Sequence, residues 1–583
     1  MDAEWKPVVP VVLTVLCGAS VGVLALRWMV KNEKLKKKLE KSREKRQKEL
    51  EQAERAVRTY KSQNPGVDLS SIVDLSLAEL RRRIQAGSLE PDAVLHAYMD
   101  KALEVNRKLN CCTAFLTECL YQLENIDSHK DGLLYGIPIS IKENIDYQGY
   151  DSTCGVLSKL DAPAAMDSVV VTVLKRQGAI PFIKTNVPQG LLNYECSNPI
   201  YGTTLNPCNL EKTCGGSSGG EGALIGGGGS ILGLGTDIGG SIRIPASFCG
   251  ICGFKPTNNR ISLRGITSCV KGIKSVLSSI GPIARDVESL ALCMRALLTD
   301  DMFSLDSTVP PIPFNQQIYE SSKRLRIGYC ENDGYLMPSP SMSRALLETK
   351  ELLERAGHTL IPFTPPRVLN AMNEYMLKGS LADGGATLLS YFKNGPVDPS
   401  LRHQYLLCAS PLLQRKFMSL LLRPIYPRMS SAAWATCGVS SVGDLWKQHK
   451  DVEDYTSEMI AEWKKLELDV LLYPMLGPAY NHNYTGKLNS ALSCTALYNV
   501  LNFPVGSVPV TEVTVEDEEQ LDHYKGNFGD IWDKVFVKAV RGGVGLPVAV
   551  QCVALPWRDE MCLRFMREVE ELCAKSKLSN THQ

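Results

Sequence analysis

The chain has 583 residues, 64 Lys and Arg against 63 Asp and Glu, and 44% hydrophobic residues. A net charge near zero with ordinary apolar and charged fractions excludes a disordered chain and gives no basic footprint for nucleic acid. The nineteen cysteines are scattered, often inside apolar runs such as 550–554, a usage that suits buried thiols in a reducing compartment.

Residues 7–26 carry no charge, and about 20 such residues cross a bilayer as a helix. Pro10 is tolerated there, and Trp5 and Trp28 stand where interfacial aromatics would. A cleaved signal peptide is the rival reading, but the run is long and its positive charge follows rather than precedes it. Lys31, Lys34, Lys36, Lys37, Lys38, Lys41, Arg43, Lys45, Arg46 and Lys48 come just after. By the positive-inside rule the chain beyond them is cytoplasmic, and residues 1–30 are expected to be a tail and single-pass anchor. Residues 31–70 are expected to be a solvated juxtamembrane helix and linker, with attraction to anionic lipid as a secondary role. A cytoplasmic body makes the sequon Asn483-Tyr484-Thr485 a chance match.

Ser88 as cap and Pro91 in the first turn predict a helix that follows at helical period. Residues 136–145 predict a strand in which Ile137, Ile139 and Ile141 alternate with Pro138, Ser140 and Lys142, so Lys142 lies opposite the isoleucines. A helix over 166–177 and a buried strand over 179–185 follow. Further strands are predicted at 324–330, 358–363, 468–473 and 546–554, and helices at 341–356 and 558–574. Strands alternating with helices argue for an α/β domain with a largely buried sheet. Between Pro310 and Pro313 a P-x-x-P segment fits an SH3-type partner, though a stiff surface connection is the simpler reading. Cys249 and Cys252 form a lone C-x-x-C that reads as core packing rather than zinc or redox chemistry. Over 412–429, leucines, Phe417, Ile425 and Tyr426 are interleaved with Arg415, Lys416, Arg423 and Arg428. Such mixing suits a helix pair in a headgroup layer, and equally an ordinary core helix and turn.

Residues 214–256 are dense in glycine, with Ser217 in GGSSGG and Ser241 in GGSI. Glycine lets backbone N–H groups converge on a ligand, and a serine among free N–H groups suits acyl transfer. No Gly-Lys-Ser/Thr closes the run, so a Walker phosphate loop does not fit. Residues 215–219 satisfy G-x-S-x-G, but no apolar run that could be the required strand precedes Ser217. None of the eight histidines is near this stretch in sequence.

GGSSGGEGALI followed by GLGTDIGGSIRIP resembles the signature of the amidase-signature serine hydrolases, and the resemblance extends upstream to GIPISIKENI and downstream to GLPVAVQCVALPW. It implies an α/β amidase-signature fold, a large mixed β-sheet surrounded by helices, over 71–576, with a tail at 577–583 and a transmembrane helix in front. It also implies a Ser-Ser-Lys triad without metal or cofactor. Ser241 would be the nucleophile, Ser217 the bridging serine, and a neutral Lys142 the base. The N–H groups of Ile238, Gly239, Gly240 and Ser241 would form the oxyanion hole. Ser218 would orient Lys142, and Asp237 and Arg243 would hold the loop. A lysine reaches neutrality by burial with few counter-charges. With the anchor, the chain is most similar to the family members that act on fatty-acid amides. That implies cleavage of long-chain primary amides such as oleamide and N-acylethanolamines such as anandamide, with secondary esterase activity. It further implies a membrane-docking cap near 405–435, a homodimer, and residence on internal membranes such as the endoplasmic reticulum, while the apolar residues Leu192, Tyr194, Phe528 and Trp532 are candidates for an acyl pocket. A histidine-dependent lipase with Ser217 as nucleophile and a catalytically silent scaffold stay open as alternatives.

Overall fold

In a computed structural model, the backbone is described for residues 8–393 and 395–581, and side chains essentially for 32–578. Eleven strands make one mixed sheet: β1 (Cys112–Phe115), β2 (Pro138–Lys142), β3 (Ile180–Thr185), β4 (Leu232–Asp237), β5 (Cys252–Lys255), β6 (Ser279–Ala284), β7 (Arg326–Tyr329), β8 (Thr359–Pro362), β9 (Val470–Pro474), β10 (Val505–Glu512) and β11 (Pro547–Ala554). Their order across the sheet is β1-β3-β2-β4-β6-β5-β10-β11-β9-β7-β8. The pairs β2/β3, β2/β4, β9/β7 and β7/β8 are parallel, and the rest antiparallel. Strands β2 to β6 are buried at every residue, as in a sheet covered on both faces. The alternation in β2 therefore separates two interior faces, and Lys142 is 0% exposed.

The glycine-rich run is not one loop. Its middle is the interior strand β4. A Cβ at Gly233 would stand 1.9 Å from Glu221 Oε2, and one at Gly235 would stand 2.7 Å from Ser218 Oγ. Glycine is needed there because side chains of the neighbouring segments cross the strand closely.

Helices α1 (Val8–Gln63), α2 (Pro91–Leu109), α3 (Gly219–Gly226), α4 (Arg243–Phe248), α5 (Leu412–Leu422), α6 (Pro427–Ala435), α7 (Ile531–Val540) and α8 (Asp559–Thr581) matter most for the site and its surroundings. Glu90, not Ser88, holds the cap position of α2, and Ser88 bonds back to the Arg83 carbonyl. The side chains of the anchor expected over 7–26 lie outside the described residues. Among the described residues no helix is long and apolar enough to cross a membrane.

The segment expected to be a solvated juxtamembrane helix is docked instead. Ala53, Val57 and Tyr60 of α1 are buried, and Tyr60 stacks on His96 with centroids 4.3 Å apart. Leu35 and Leu39 pack on Leu157, Leu160 and Ile200. Lys38 donates to the Leu160 carbonyl at 2.9 Å, and Lys41 pairs with Asp161 at 2.7 Å. These two lysines face the catalytic domain rather than a headgroup layer.

The helix pair α5 and α6 forms as expected, but two of its four basic residues are interior. Arg415 is buried and donates to the Gly384 and Thr436 carbonyls. Arg428 is 1% exposed and pairs with Asp530 at 2.6 Å and Asp533 at 2.9 Å. A guanidinium has donors enough to satisfy several acceptors at once, and the fold uses both for internal anchoring. Leu413, Phe417, Leu420, Leu421 and Ile425 are exposed. The Pro310–Pro313 segment has no regular secondary structure and is pinned from inside by Arg260, which donates to the Ile312 and Pro313 carbonyls. Cys249 and Cys252 are buried free thiols.

Candidate active site

Lys142 stands at the end of β2, between β3 and β4. Three oxygens surround its Nζ: Ser217 Oγ at 2.8 Å, Thr236 Oγ1 at 2.8 Å and the Thr236 carbonyl at 3.2 Å. Burial pushes the amine down to about 7, and Asp237, Cys154, Cys196 and Glu221 oppose that only in part. A neutral amine has two N–H donors and one lone pair. With both donors given to Thr236, the lone pair faces Ser217 and can take its hydroxyl proton.

Ser217 is 2% exposed, at the turn into α3, and no strand leads into it. That removes the nucleophile-elbow geometry. Ser218 does not orient Lys142. Its Oγ contacts the backbone of Thr236, whose N–H and carbonyl both lie 3.4 Å away, and its N–H donates to the Ser241 carbonyl at 3.0 Å. The orienting hydroxyl is that of Thr236, one residue before Asp237. The bond from the Ser218 N–H to the Ser241 carbonyl ties the loop of Ser217 to that of Ser241, which is itself partly exposed.

The turn after β4 is held by Asp237 and Arg243, as expected of structural partners. Asp237 accepts from Gly240 N–H at 2.7 Å, Ile242 N–H at 3.0 Å and Asn499 Nδ2 at 2.9 Å, and pairs with Arg243 at 3.0 Å. Burial alone would raise this carboxyl, but the Arg243 guanidinium and the Ile242 N–H hold it well below the usual carboxylate range. Arg243 also donates to Gln551 Oε1, Asn499 Oδ1 and the Thr495 carbonyl. Thr495 in turn donates to the Gly239 carbonyl at 2.6 Å.

This bracing corrects one oxyanion donor. The Gly240 N–H is committed to Asp237, whereas no protein acceptor engages the N–H groups of Ile238, Gly239 or Ser241 among the described residues. Three donors remain beside the partly exposed serine.

The four apolar candidates divide. Tyr194 is buried with its backbone against Gly216, next to Ser217, and its ring meets Tyr480 edge-on. Leu192 packs on a small cluster with Cys154, Cys269, Leu388 and Phe392. Phe528 and Trp532 contact the Arg428 guanidinium, 4.5 and 5.1 Å from their ring centroids, so both rings pack on the root of α6. Sequence reasoning missed Thr236, Thr495, Asn499 and Gln551. Thr236 lay inside the recognised motif, but nothing in the sequence showed which strand faced it.

A family model described as Amidase matches residues 93–563. The chain belongs to the amidase family. It is 50% identical over 561 residues to fatty-acid amide hydrolase 1 of Sus scrofa, covering 96% of each chain. It is 40% identical over 509 residues to fatty acid amide hydrolase 1 of Caenorhabditis elegans, covering 86% of this chain and 88% of that one. A solved structure of a fatty acid amide hydrolase matches with a TM-score of 0.77 at 26% identity, over 94% of this chain and 96% of that chain. As an amidase-family hydrolase with this fold, the protein is not a histidine-dependent α/β-hydrolase. Among the described residues, no histidine is bonded to Ser217 or Ser241.

Proposed function

We propose that this protein is a membrane-associated serine hydrolase that cleaves long-chain fatty-acid amides, both primary amides and N-acylethanolamines, to the free acid and an amine. The observation that carries the mechanism is the buried Lys142–Ser217 contact at 2.8 Å, with Thr236 occupying the other side of the amine. In this reading neutral Lys142 takes the proton of Ser217, Ser217 takes that of Ser241, and Ser241 Oγ attacks the amide carbonyl. The free N–H groups of Ile238, Gly239 and Ser241 stabilise the oxyanion. Ser217 returns a proton to the leaving nitrogen, because an amide anion is a very poor leaving group. Water activated through the same relay then releases the acid from the acyl-enzyme.

The acyl specificity rests on the names of the pig and nematode relatives and on the exposed apolar face of α5 and α6, which suits contact with a bilayer holding the substrate. Homodimerisation, attachment to internal membranes such as the endoplasmic reticulum, and any use of the Pro310–Pro313 segment by an SH3-type domain belong to this proposal as well. The test is free fatty acid released from oleoyl amide and arachidonoyl ethanolamide by detergent-solubilised protein beside its Ser241→Ala form. Release abolished by the substitution supports nucleophile and substrate together. No release from the unaltered protein, with a fluorophosphonate probe still labelling Ser241, removes the lipid-amide assignment and keeps the nucleophile. Failure to label would favour a silent scaffold.

A further inference from the structure

Glu221 lies in the first turn of α3, four residues after Ser217, and is 0% exposed. Its partners are hydroxyls on two different strands: Ser140 Oγ of β2 donates to it at 2.6 Å and Thr185 Oγ1 of β3 at 2.8 Å. Ser140 stands two residues before Lys142, on the same face of β2, and Thr185 is the register partner of Lys142 on β3. One carboxyl therefore grips both strands beside the root of the Lys142 side chain. The same turn of α3 meets β4 at two points. Ser218 and Glu221, three residues apart, share a helix face. Ser218 Oγ crosses the strand at Gly235 and Glu221 Oε2 crosses it at Gly233, which is the register partner of Ser140. Ser217 and Lys142, in contact at 2.8 Å, thus belong to two units that Glu221 joins about one helical turn from where they meet.

We propose that Glu221 is a positioning residue: by clamping α3 to Ser140 and Thr185 it holds Ser217 within hydrogen-bond reach of Lys142. The proposal rests on the reading of Lys142 and Ser217 as a proton relay. A relay passes protons only at hydrogen-bond distance, and a misplacement of about 1 Å can cost about a hundredfold in rate. Hydroxyls donate to a carboxylate and can also accept from a carboxylic acid, so the clamp closes in either state of Glu221. A side-chain amide can close it too, with one hydroxyl donating to its oxygen and the other accepting from its –NH2 group.

Glu221→Met keeps the length of the side chain and removes both acceptors. The Gly220 N–H, which donates to the Asn186 carbonyl at 3.0 Å, still holds α3 to the body. Hydrolysis of oleoyl amide and of methyl oleate by the detergent-solubilised full-length protein is measured at about pH 9. Burial brings Lys142 down to about 7, so at that pH it is neutral, and loss of a nearby negative charge does not by itself lower activity. In Glu221→Met, kcat on the amide is expected to fall about ten- to a hundredfold with KM unchanged. The ester is expected to lose about tenfold less, because an alkoxide leaves without the proton that Ser217 must return to an amine. Glu221→Gln is expected to bring kcat on the amide back to within about threefold of the unsubstituted enzyme. Thr185→Val, which deletes one donor, should act in the same direction as Glu221→Met by less, and stands in if that variant does not fold. Equal losses on amide and ester, or no recovery in Glu221→Gln, would make Glu221 merely structural and overturn the proposal. Lys142→Ala separates the two readings. If it cleaves the amide as fast as the unsubstituted enzyme, the relay falls and the proposal with it. If it is impaired while Glu221→Met is not, the relay stands and the clamp alone is overturned.

Discussion

Lys142 would be an ammonium in water, and in this fold burial rather than a neighbouring cation brings its neutral form within reach near pH 7. In the proposed relay it acts only when neutral, and burial brings it down to about 7. Acylation by the unsubstituted enzyme is therefore expected to rise with pH through a midpoint near that value and to level above it. A stopped-flow record of acylation across the range checks this, and a flat profile would remove lysine as the base. Thr236 gives a second test at this scale, because its hydroxyl accepts from the amine at 2.8 Å. Thr236→Val leaves the amine free to rotate away from Ser217. Loss of one hydrogen bond of about 0.5–1.5 kcal/mol predicts a kcat about two- to twelvefold lower with KM unchanged. A change confined to KM would mean that the hydroxyl contacts substrate instead.

At the scale of elements, Arg428 joins the α5–α6 pair to the body. Its guanidinium holds Asp530 and Asp533 and lies against the rings of Phe528, Trp532 and Tyr335, so α6 is fastened to the start of α7 by one side chain. Removing one member of a buried ion pair costs about 3–5 kcal/mol, because the others stay buried and unpaired. Arg428→Met is expected to lower the thermal midpoint and to open residues 402–442 to limited proteolysis before the rest of the chain. An unchanged cleavage pattern would show that other contacts hold the α5–α6 pair. How these elements read from sequence follows the same physics. Strands with apolar, β-branched runs, such as β3, β9 and β11, were legible. Strands β1, β4, β5, β6 and β10 were not: β1 (CTAF) and β5 (CGFK) have no run of apolar β-formers, and β4, β6 and β10 carry glycine or proline in their interiors. Pro509 sits at a register shift in β10, and the glycines of β4 are set by side chains crossing from α3 and its cap. Those demands are tertiary and leave no local pattern. Ser217 and Ser241 could be read from their motif. Lys142 alone would have passed for a surface lysine on an alternating strand. Thr236 depended on the register that pairs Ile141 with Leu234, which no local spacing announces.

Across the whole molecule, the catalytic chemistry is interior while one face stays apolar and open. Leu413 is 81% exposed, Leu420 63%, Phe417 60% and Ile425 67%, all on or just after α5. Trp434 on α6 and the nearby Trp446 are exposed too, and Lys416 lies 5.7 Å from the Trp434 ring centroid. A contiguous patch of this kind marks a contact surface, and an apolar helix face edged by Lys416 and Arg423 suits the headgroup layer. These side chains lie on the surface, so changing them should leave folding and the proposed triad alone, unlike Arg428→Met. The triple change Phe417→Ser, Leu420→Ser and Ile425→Ser is expected to raise KM for oleoyl amide held in phosphatidylcholine vesicles by about ten- to a hundredfold. That is the loss of about 1.4–2.8 kcal/mol of interfacial burial. On a water-soluble short-chain amide, kcat/KM and the thermal midpoint should stay as they were. If both substrates suffer equally, the patch supports the active site from within and the bilayer reading is wrong. If neither does, the exposed face takes no part in substrate delivery, and α1 with the segment before it would have to bring the enzyme to its substrate unaided.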